Sequence, residues 1–208
     1  MVIDLRKCIG CKACAVVCSE RNNVPPDRLR KVVDTGVLES DCPIRVFLPM
    51  SCMHCDKAPC LEVCPTGATY RRSDGIIGID EDRCLGCGYC EMACPYHARS
   101  IFHDRMELVI SALRSGAGSG YCPRQAGVSL KCNFCLQKIQ NGIAGRLKPG
   151  VDPDATPDCV LACSAGVLHF GDLNDPDSNV SQLLRQNSSF RLLESLGTEP
   201  SIYYIHAV

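Results

Sequence analysis

The residues best able to do chemistry in this sequence are its cysteines, which account for 18 of 208 residues. A content of about 9% is typical of chains in which cysteine forms a disulfide scaffold or binds metal. Sixteen of them fall into four groups, here called bursts 1 to 4, that each contain a Cys-x2-Cys pair. Burst 1 is Cys8, Cys11, Cys14 and Cys18; burst 2 is Cys52, Cys55, Cys60 and Cys64; burst 3 is Cys84, Cys87, Cys90 and Cys94; burst 4 is Cys132, Cys135, Cys159 and Cys163. The repetition predicts one kind of site, used four times.

The spacing within the bursts is typical of ligands for [4Fe–4S] clusters. Such a cluster takes four thiolates, and C-x2-C-x2-C-x3-C-P is a ferredoxin pattern whose fourth cysteine binds the neighbouring cluster. Burst 3 fits this pattern in full, including Pro95, whereas Ser19 replaces the proline after burst 1. The sequence therefore predicts four [4Fe–4S] clusters as cofactors, with sixteen cysteines as iron ligands. Because every iron would have a thiolate, no metal position stays open for substrate, and we predict no catalytic residue.

The residue after each fourth cysteine predicts which bursts exchange ligands. Bursts 2 and 3 end in Cys-Pro, whereas bursts 1 and 4 end in Cys-Ser. We therefore expect burst 1 to pair with burst 4 and burst 2 with burst 3, one pair nested inside the other. The predicted ligand sets are site 1, Cys8, Cys11, Cys14 and Cys163; site 2, Cys132, Cys135, Cys159 and Cys18; site 3, Cys52, Cys55, Cys60 and Cys94; and site 4, Cys84, Cys87, Cys90 and Cys64.

Two other kinds of metal site use similar residues. Zinc ribbons separate their Cys-x2-Cys pairs by a longer loop, and burst 4, with 23 residues between Cys135 and Cys159, comes nearest to that arrangement. A Rieske centre needs two histidine ligands, but the cysteines near His54 and His97 already complete other sites. We expect packing or surface positions for all five histidines, His54, His97, His103, His169 and His206, and free thiols at Cys42 and Cys122.

Glycine and lysine residues also accompany the bursts. We expect Gly10, Gly86 and Gly88 to leave room for the cluster, because a side chain there would crowd it. The lysines Lys7, Lys12, Lys57 and Lys131 have two open interpretations: a solvated surface, or a partial offset of the cluster charge.

The overall composition excludes several classes of protein. The 22 basic and 23 acidic residues give a formal net charge of −1, without the basic excess of a nucleic-acid-binding protein. Because Cys8 leaves no room for a signal peptide, we expect none in this chain and we expect reduced cysteines. No apolar stretch approaches the roughly 20 residues of a membrane span, so we expect no direct span.

Short strands bounded by turn residues separate the bursts. The predicted strands are Val2–Leu5, Ile44–Leu48, Thr69–Arg71, Ile76–Ile79, Ala98–Phe102, Val167–Phe170 and Ser201–Ile205. Ala15–Val17 and Glu91–Ala93 suit single helical turns, and Ser178 is a candidate cap for a helix over Asn179–Gln186. The segments Val24–Asp41 and Ser115–Gly120 look like insertions.

The predicted fold class is α+β, with two nested ferredoxin-like dicluster modules built from short strands and short helices around four clusters. We expect residues 1–51 to form a first half-module with an insertion, and residues 52–105 an inserted dicluster module. Residues 106–171 would form the second half-module that closes on the first, and residues 172–208 a docking tail. The apolar residues of that tail either contact a partner or cover this chain's own core; they are Leu183, Leu184, Phe190, Leu192 and Leu193.

Nearly the whole chain resembles the four-cluster iron–sulfur subunit, also called the beta subunit, of the molybdopterin oxidoreductases related to dimethyl sulfoxide reductase. Polysulfide, thiosulfate, tetrathionate and arsenate reductases and membrane-bound formate dehydrogenases contain such subunits. The segments that carry the resemblance are MVIDLRKCIGCKAC, CMHCDKAPCLEVCPTGA, IDEDRCLGCGYCEMACPYHA, KCNFC, HFGDLNDPDSNVSQLL and SIYYI. Two features depart from it: the long spacer between Cys135 and Cys159, and Ser164 where relatives usually have proline.

The resemblance implies an electron-transfer subunit that is not itself catalytic. It would relay single electrons between a large molybdopterin catalytic subunit, with molybdenum or tungsten, and an integral, quinone-reactive membrane subunit or another redox partner. It would be membrane-associated as part of that complex, on the cytoplasmic face or on the periplasmic face by co-export. The alternative is a free polyferredoxin carrier, which would have little use for the long segment beyond its last cysteine.

Overall fold

The structure is a computed structural model that describes residues 1–38, 44–101 and 126–207. The helices in this part of the chain are α1 (Ala13–Asn22), α2 (Pro59–Glu62), α3 (Tyr89–Met92), α4 (Leu136–Ala144), α5 (Asp158–Leu161) and α6 (Asn179–Gln186). The strands are β1 (Val2–Asp4), β2 (Arg30–Leu38), β3 (Ile44–Ser51), β4 (Thr69–Arg71), β5 (Ile77–Ile79), β6 (Ser100–Ile101), β7 (Ser129–Leu130), β8 (Leu168–His169), β9 (Ser189–Phe190) and β10 (Tyr203–Ile205). Predictions for Cys42, His103, Ser115–Gly120 and Cys122 lie outside the described residues.

The mixture of short helices and short strands agrees with the predicted fold class. Each predicted strand coincides at least in part with an observed one, and the hairpin of β4 and β5 has the expected pairing, with Thr69 opposite Ile79. Residues 179–186 form the predicted helix, whose Ser178 side chain accepts a hydrogen bond from the Ser181 amide, as an N-cap does. Turn residues and alternating apolar residues were therefore sufficient to locate these elements.

The two longest elements that were not predicted lie in segments interpreted as insertions or spacers. Strand β2 pairs with β3 in a long antiparallel hairpin that contains a register shift between Asp34 and Val37. Its charged and polar residues obscured the alternation that identifies a strand. Helix α4 follows Cys135 directly, in the long spacer of burst 4. Its buried Ile139 and Gly142 pack it against the rest of the chain, with Gly142 close to Ala155.

A four-stranded mixed sheet joins the two ends of the sequence. Its strand order is β8-β1-β10-β9, with β1 parallel to β10 and antiparallel to β8. Val2 lies opposite Tyr203, and Tyr204 is fully buried with its hydroxyl donating to the Pro49 carbonyl at 3.0 Å. The sheet therefore fixes the start of burst 1 against the far end of the chain.

The main apolar core contains cysteines as well as aliphatic side chains. Among its buried members are Cys14, Cys52, Cys55, Cys60, Cys90, Cys94, Cys132 and Cys159. Aromatic residues are few, at 5% of the chain, and Phe134 and Phe170 meet edge to face with ring centroids 5.2 Å apart. The thiols thus occupy positions that large side chains fill in an ordinary core. No helix among residues 1–38, 44–101 and 126–207 is long and apolar enough to cross a membrane.

The C-terminal segment covers this chain's own core. Helix α6 contributes Val180 to a small apolar cluster with Val2 and Ile205, and Leu183 and Leu184 pack against that cluster. Phe190 and Leu192 pack against the main core, whereas Leu193 is exposed. Of the two interpretations of the tail, the structural one has direct contacts, and docking of a partner stays a prediction.

Deletion of residues 188–208 should therefore remove iron as well as partner binding. The deletion eliminates β9 and β10, and with them a parallel neighbour of β1 just before Cys8. We expect little soluble, iron-loaded protein after anaerobic purification, measured as iron per chain. As a control, Leu193→Ser combined with Leu196→Ser changes only exposed tail residues and should keep the iron. Full iron in the deletion variant would show that the tail serves docking alone.

Candidate iron–sulfur sites

The first Cys-x2-Cys turn of each burst has a left-handed residue at the same position. The residue before the second cysteine has positive φ in each turn, namely Gly10 (70°), His54 (45°), Gly86 (65°) and Phe134 (57°). This left-handed conformation is disfavoured for residues other than glycine, so His54 and Phe134 must be held in it by packing. Their rings stack on each other with centroids 3.9 Å apart. The backbone conformation is therefore the same at all four positions, although the residue type differs.

Two of the predicted ligand sets line cavities of their own. The first cavity is lined by all four cysteines of site 4, Cys64, Cys84, Cys87 and Cys90, together with Gly86, Gly88 and Ser129. The second cavity is lined by all four cysteines of site 2, Cys18, Cys132, Cys135 and Cys159. In each case the fourth cysteine comes from a different burst from the other three, as the exchange of ligands between bursts requires.

The cysteines of the other two sites also lie together. Cys8 is within electrostatic range of Cys11 and Cys163, and Cys14 is within range of Cys8 and Cys163. In the same way Cys55 lies near Cys52, Cys60 and Cys94. The structure thus brings the cysteines of sites 2 and 4 together around cavities and places those of sites 1 and 3 near one another, while the four ligand sets stay a prediction.

Amide donors already point at several of the thiols. The backbone N–H groups of Thr69, Ser129 and Val167 donate to the sulfur atoms of Cys64, Cys84 and Cys163 at 3.4, 3.4 and 3.3 Å. Hydrogen bonds to cluster sulfurs stabilise the reduced form and are one means by which proteins set cluster potentials. All three donors begin or directly precede a short strand, which explains why strands accompany the bursts.

The ionisation of the thiols depends on their surroundings. Burial raises the pKa of Cys14, Cys55 and Cys135 to about 11, so these thiols are neutral at pH 7 until a metal replaces the proton. Burial also acts to raise the pKa of Cys64, but hydrogen bonds from Thr69 and Thr66 outweigh it and lower that pKa to about 7. A substantial fraction of Cys64 is therefore thiolate at neutral pH.

The sites differ from those of a single metal ion. Within the described parts of the chain, no three His, Cys, Asp or Glu side chains converge closely enough to hold one ion. The cysteines of sites 2 and 4 instead surround cavities, which is what a four-iron cluster needs. Two buried arginines also keep unpartnered N–H groups: Nε and Nη1 of Arg30 and Nε of Arg99 have no hydrogen-bond partner among the described residues, and Nη2 of Arg99 donates to the Cys60 sulfur. Both the donors and the space therefore fit a cluster.

Other residues singled out from the sequence have varied surroundings. A side chain at Gly10 would meet the Phe47 ring, and one at Gly86 would meet the Gly127 carbonyl oxygen, so protein neighbours exclude side chains there. Gly88 has positive φ but no protein atom within 4 Å of the position of a side chain. The described histidines match expectation: His54 is buried in packing contacts, His169 is half-buried, and His97 and His206 are exposed.

The lysines divide between the two interpretations. Lys7 and Lys57 form ion pairs with Asp4 and Glu199, and Lys12 is exposed. Lys131 is buried and donates to the Ile77 and Cys132 carbonyls. Two further cations, Arg30 and Arg99, are also buried. The sequence did not reveal them, because nothing around them distinguishes them from surface arginines.

Comparison with known proteins supports the presence of [4Fe–4S] clusters in this chain. Models for the 4Fe-4S dicluster domain match residues 44–109 and residues 7–68. The first match joins bursts 2 and 3 as predicted, whereas the second joins bursts 1 and 2. The nesting of burst 1 with burst 4 therefore stays a prediction.

Several relatives match along nearly the whole chain. A protein assigned as the iron–sulfur subunit of a dimethyl sulfoxide reductase in Halobacterium salinarum is 38% identical, over 99% of this chain and 78% of its own. A selenate reductase subunit of Mesobacillus selenatarsenatis is 36% identical, over 99% and 70%. A tetrathionate reductase subunit of Salmonella typhimurium is 34% identical, over 99% and 71%.

The cysteine sites and these matches define a [4Fe–4S] protein that contains dicluster domains. More narrowly, the chain belongs to the family of iron–sulfur subunits of the dimethyl sulfoxide reductase type. The family supports a role in electron transfer within an oxidoreductase complex.

Exchange of ligands between bursts predicts a specific pattern of cluster loss. Cys18→Ala and Cys132→Ala should abolish the same electron paramagnetic resonance (EPR) signal, because both thiols line one cavity. Cys8→Ala should abolish a different signal. Each variant should lose about four irons, the content of one cluster. If Cys18→Ala removed the signal that Cys8→Ala removes, the proposed exchange would be wrong.

Proposed function

We propose that this chain is a non-catalytic electron-transfer subunit that relays single electrons through four [4Fe–4S] clusters. Its partners would be a large molybdopterin catalytic subunit and an integral, quinone-reactive membrane subunit or another redox partner. The observation that carries the proposal is that two quartets of free cysteines, each drawn from more than one burst, line cavities of their own. When bound, each such cluster accepts and releases one electron.

Contacts between the sets support a linear order from site 1 to site 4. Cys14 of site 1 lies within electrostatic range of Cys159 of site 2. Cys132 of site 2 interacts in the same way with Cys52 of site 3. Arg99 connects Cys60 of site 3 with Cys90 of site 4. In this order sites 2 and 3 are internal, and sites 1 and 4 are the two ends.

The exposure of individual cysteines agrees with this order. Cys11 of site 1 and Cys87 of site 4 are exposed, whereas the other fourteen are buried or half-buried. Exposed apolar side chains lie within five residues of both in sequence: Ile9 (67% exposed) near Cys11, and Leu85 (74%) and Met92 (75%) near Cys87. Where such side chains form a continuous surface patch, they mark a contact with a partner. We infer that each end of the chain of sites docks one redox partner, and that the protein is membrane-associated through them.

Anaerobic purification of the native protein in mild detergent tests the proposed function. Mass identification should recover a large molybdopterin chain together with an integral membrane subunit, and metal analysis should give about sixteen irons per chain with little zinc. An iron-loaded protein recovered alone at its own mass would favour the free carrier. A high ratio of zinc to iron would exclude both.

Apolar residues at site 4 should be needed for docking but not for clusters. Met92→Glu places a charge on this exposed surface, and we expect at least a roughly tenfold weaker retention of one partner subunit. Iron content and EPR signals should stay unchanged, because Met92 is not a predicted ligand and does not line the cavity of site 4. The matched control is Val151→Glu, an exposed apolar position (70%) far along the chain from any predicted ligand of site 4. Equal loss in both variants would contradict docking at this surface.

A further inference from the structure

Arg99 is a buried cation that contacts a predicted cluster ligand directly. Only 3% of it is exposed, and its Nη2 donates to the Cys60 sulfur of site 3 at 3.1 Å. Nη1 donates to the Thr69 hydroxyl at 3.1 Å, whereas Nε has no partner among the described residues. The Cys90 thiol of site 4 is also within electrostatic range. Arg99 therefore lies between the two sites of one dicluster pair.

Arg30 is a second buried arginine, and its charge acts on predicted ligands of the other pair. It begins strand β2, is 1% exposed, and its Nη2 donates to the Ser51 hydroxyl at 3.2 Å. Its charge interacts with Cys14 of site 1 and with three thiols of site 2, which are Cys159, Cys132 and Cys18. Its other two nitrogen atoms, Nε and Nη1, have no partner in the described parts of the chain.

Neither arginine forms an ion pair with a carboxylate in residues 1–38, 44–101 and 126–207. The ion pairs in these ranges use other cations, such as Lys138 with Asp158 at 2.6 Å. Burial of an unpaired guanidinium costs several kcal/mol, so such a residue needs a compensating negative charge. A [4Fe–4S] cluster with four thiolates carries about −2 and becomes more negative by one charge on reduction. A cluster on either side of each arginine supplies that charge.

We propose that Arg30 and Arg99 set the reduction potentials of the clusters on both sides of them, Arg30 for sites 1 and 2 and Arg99 for sites 3 and 4. This inference rests on the proposed function, because it requires clusters in all four sites. A positive charge between two clusters stabilises the reduced state of each and weakens the repulsion between their added electrons. The two arginines would act only through the clusters: neither binds substrate, and neither takes part in making or breaking a bond.

The buried Lys131 differs in a way that supports this division. Its Nζ donates to the carbonyl oxygens of Ile77 and Cys132, so its contacts are with the backbone and not with a thiol. The guanidinium groups, in contrast, keep unpartnered N–H donors, as far as the described residues extend. Lys131 is therefore a structural cation, and we assign the effect on potential to the arginines.

Redox titration monitored by EPR on the holoprotein tests the proposal. Arg30→Gln should lower the potentials of the clusters at sites 1 and 2 and leave sites 3 and 4 unchanged, and Arg99→Gln should do the reverse. We expect about a tenfold change in the ratio of oxidised to reduced cluster at a fixed potential, which corresponds to about 59 mV for one electron. The cysteine-to-alanine variants identify which signal belongs to which site. Arg30→Gln tests sites 1 and 2, and Arg99→Gln tests sites 3 and 4. If one of these variants fails to fold, the other still decides whether a buried arginine sets the potentials.

Lysine variants distinguish the effect of the positive charge from that of the shape of the arginine side chain. A surface variant serves as the control. Arg30→Lys and Arg99→Lys keep the charge, so their potentials should stay close to those of the parent protein. Arg45→Gln removes an exposed arginine paired with Asp34 and should shift nothing. Unshifted potentials in glutamine variants with full iron, or equal shifts in lysine and glutamine variants, would overturn the role of charge. Fewer than four clusters in the unmodified protein would instead overturn the proposed function.

Discussion

The fold depends on the burial of many thiols that must become negatively charged. Burial alone raises the pKa of several of them to about 11, so the folded chain without metal holds neutral thiols in places that suit thiolates bound to iron. The core has few aromatic side chains to offer in their place. Bound clusters would therefore complete much of the core of this chain.

The local structure follows from this constraint. A Cys-x2-Cys turn has to aim two sulfur atoms at one point, and the first such turn of each burst meets that need with a left-handed residue at the same position. Short strands after the bursts then supply amide N–H groups to the sulfur atoms of Cys64 and Cys163. The elements are short because each one serves a nearby site and not a large continuous sheet.

The sequence was informative where chemistry restricts the residue type and weak where it does not. Only cysteine can supply the thiolates, so the spacing of the cysteines was enough to predict [4Fe–4S] clusters. Gly10 and Gly86 revealed the left-handed position in two turns, but His54 and Phe134 concealed it in the other two. Strand β2 carries a charged and polar sequence, and its hairpin partner is needed to recognise it. The two buried arginines become visible only when folding brings them beside thiols from other bursts.

The position of β10 has a consequence for the synthesis of the protein. This strand lies between β1 and β9, yet it follows all sixteen predicted ligands in the chain. During translation, the strand before Cys8 lacks its parallel neighbour until residues 203–205 have left the ribosome, and such long-range pairing forms slowly. The segment around burst 1 is thus incomplete while the rest of the chain is being made. Cluster delivery to site 1 would have its natural opportunity in that interval, before the last strand closes the sheet.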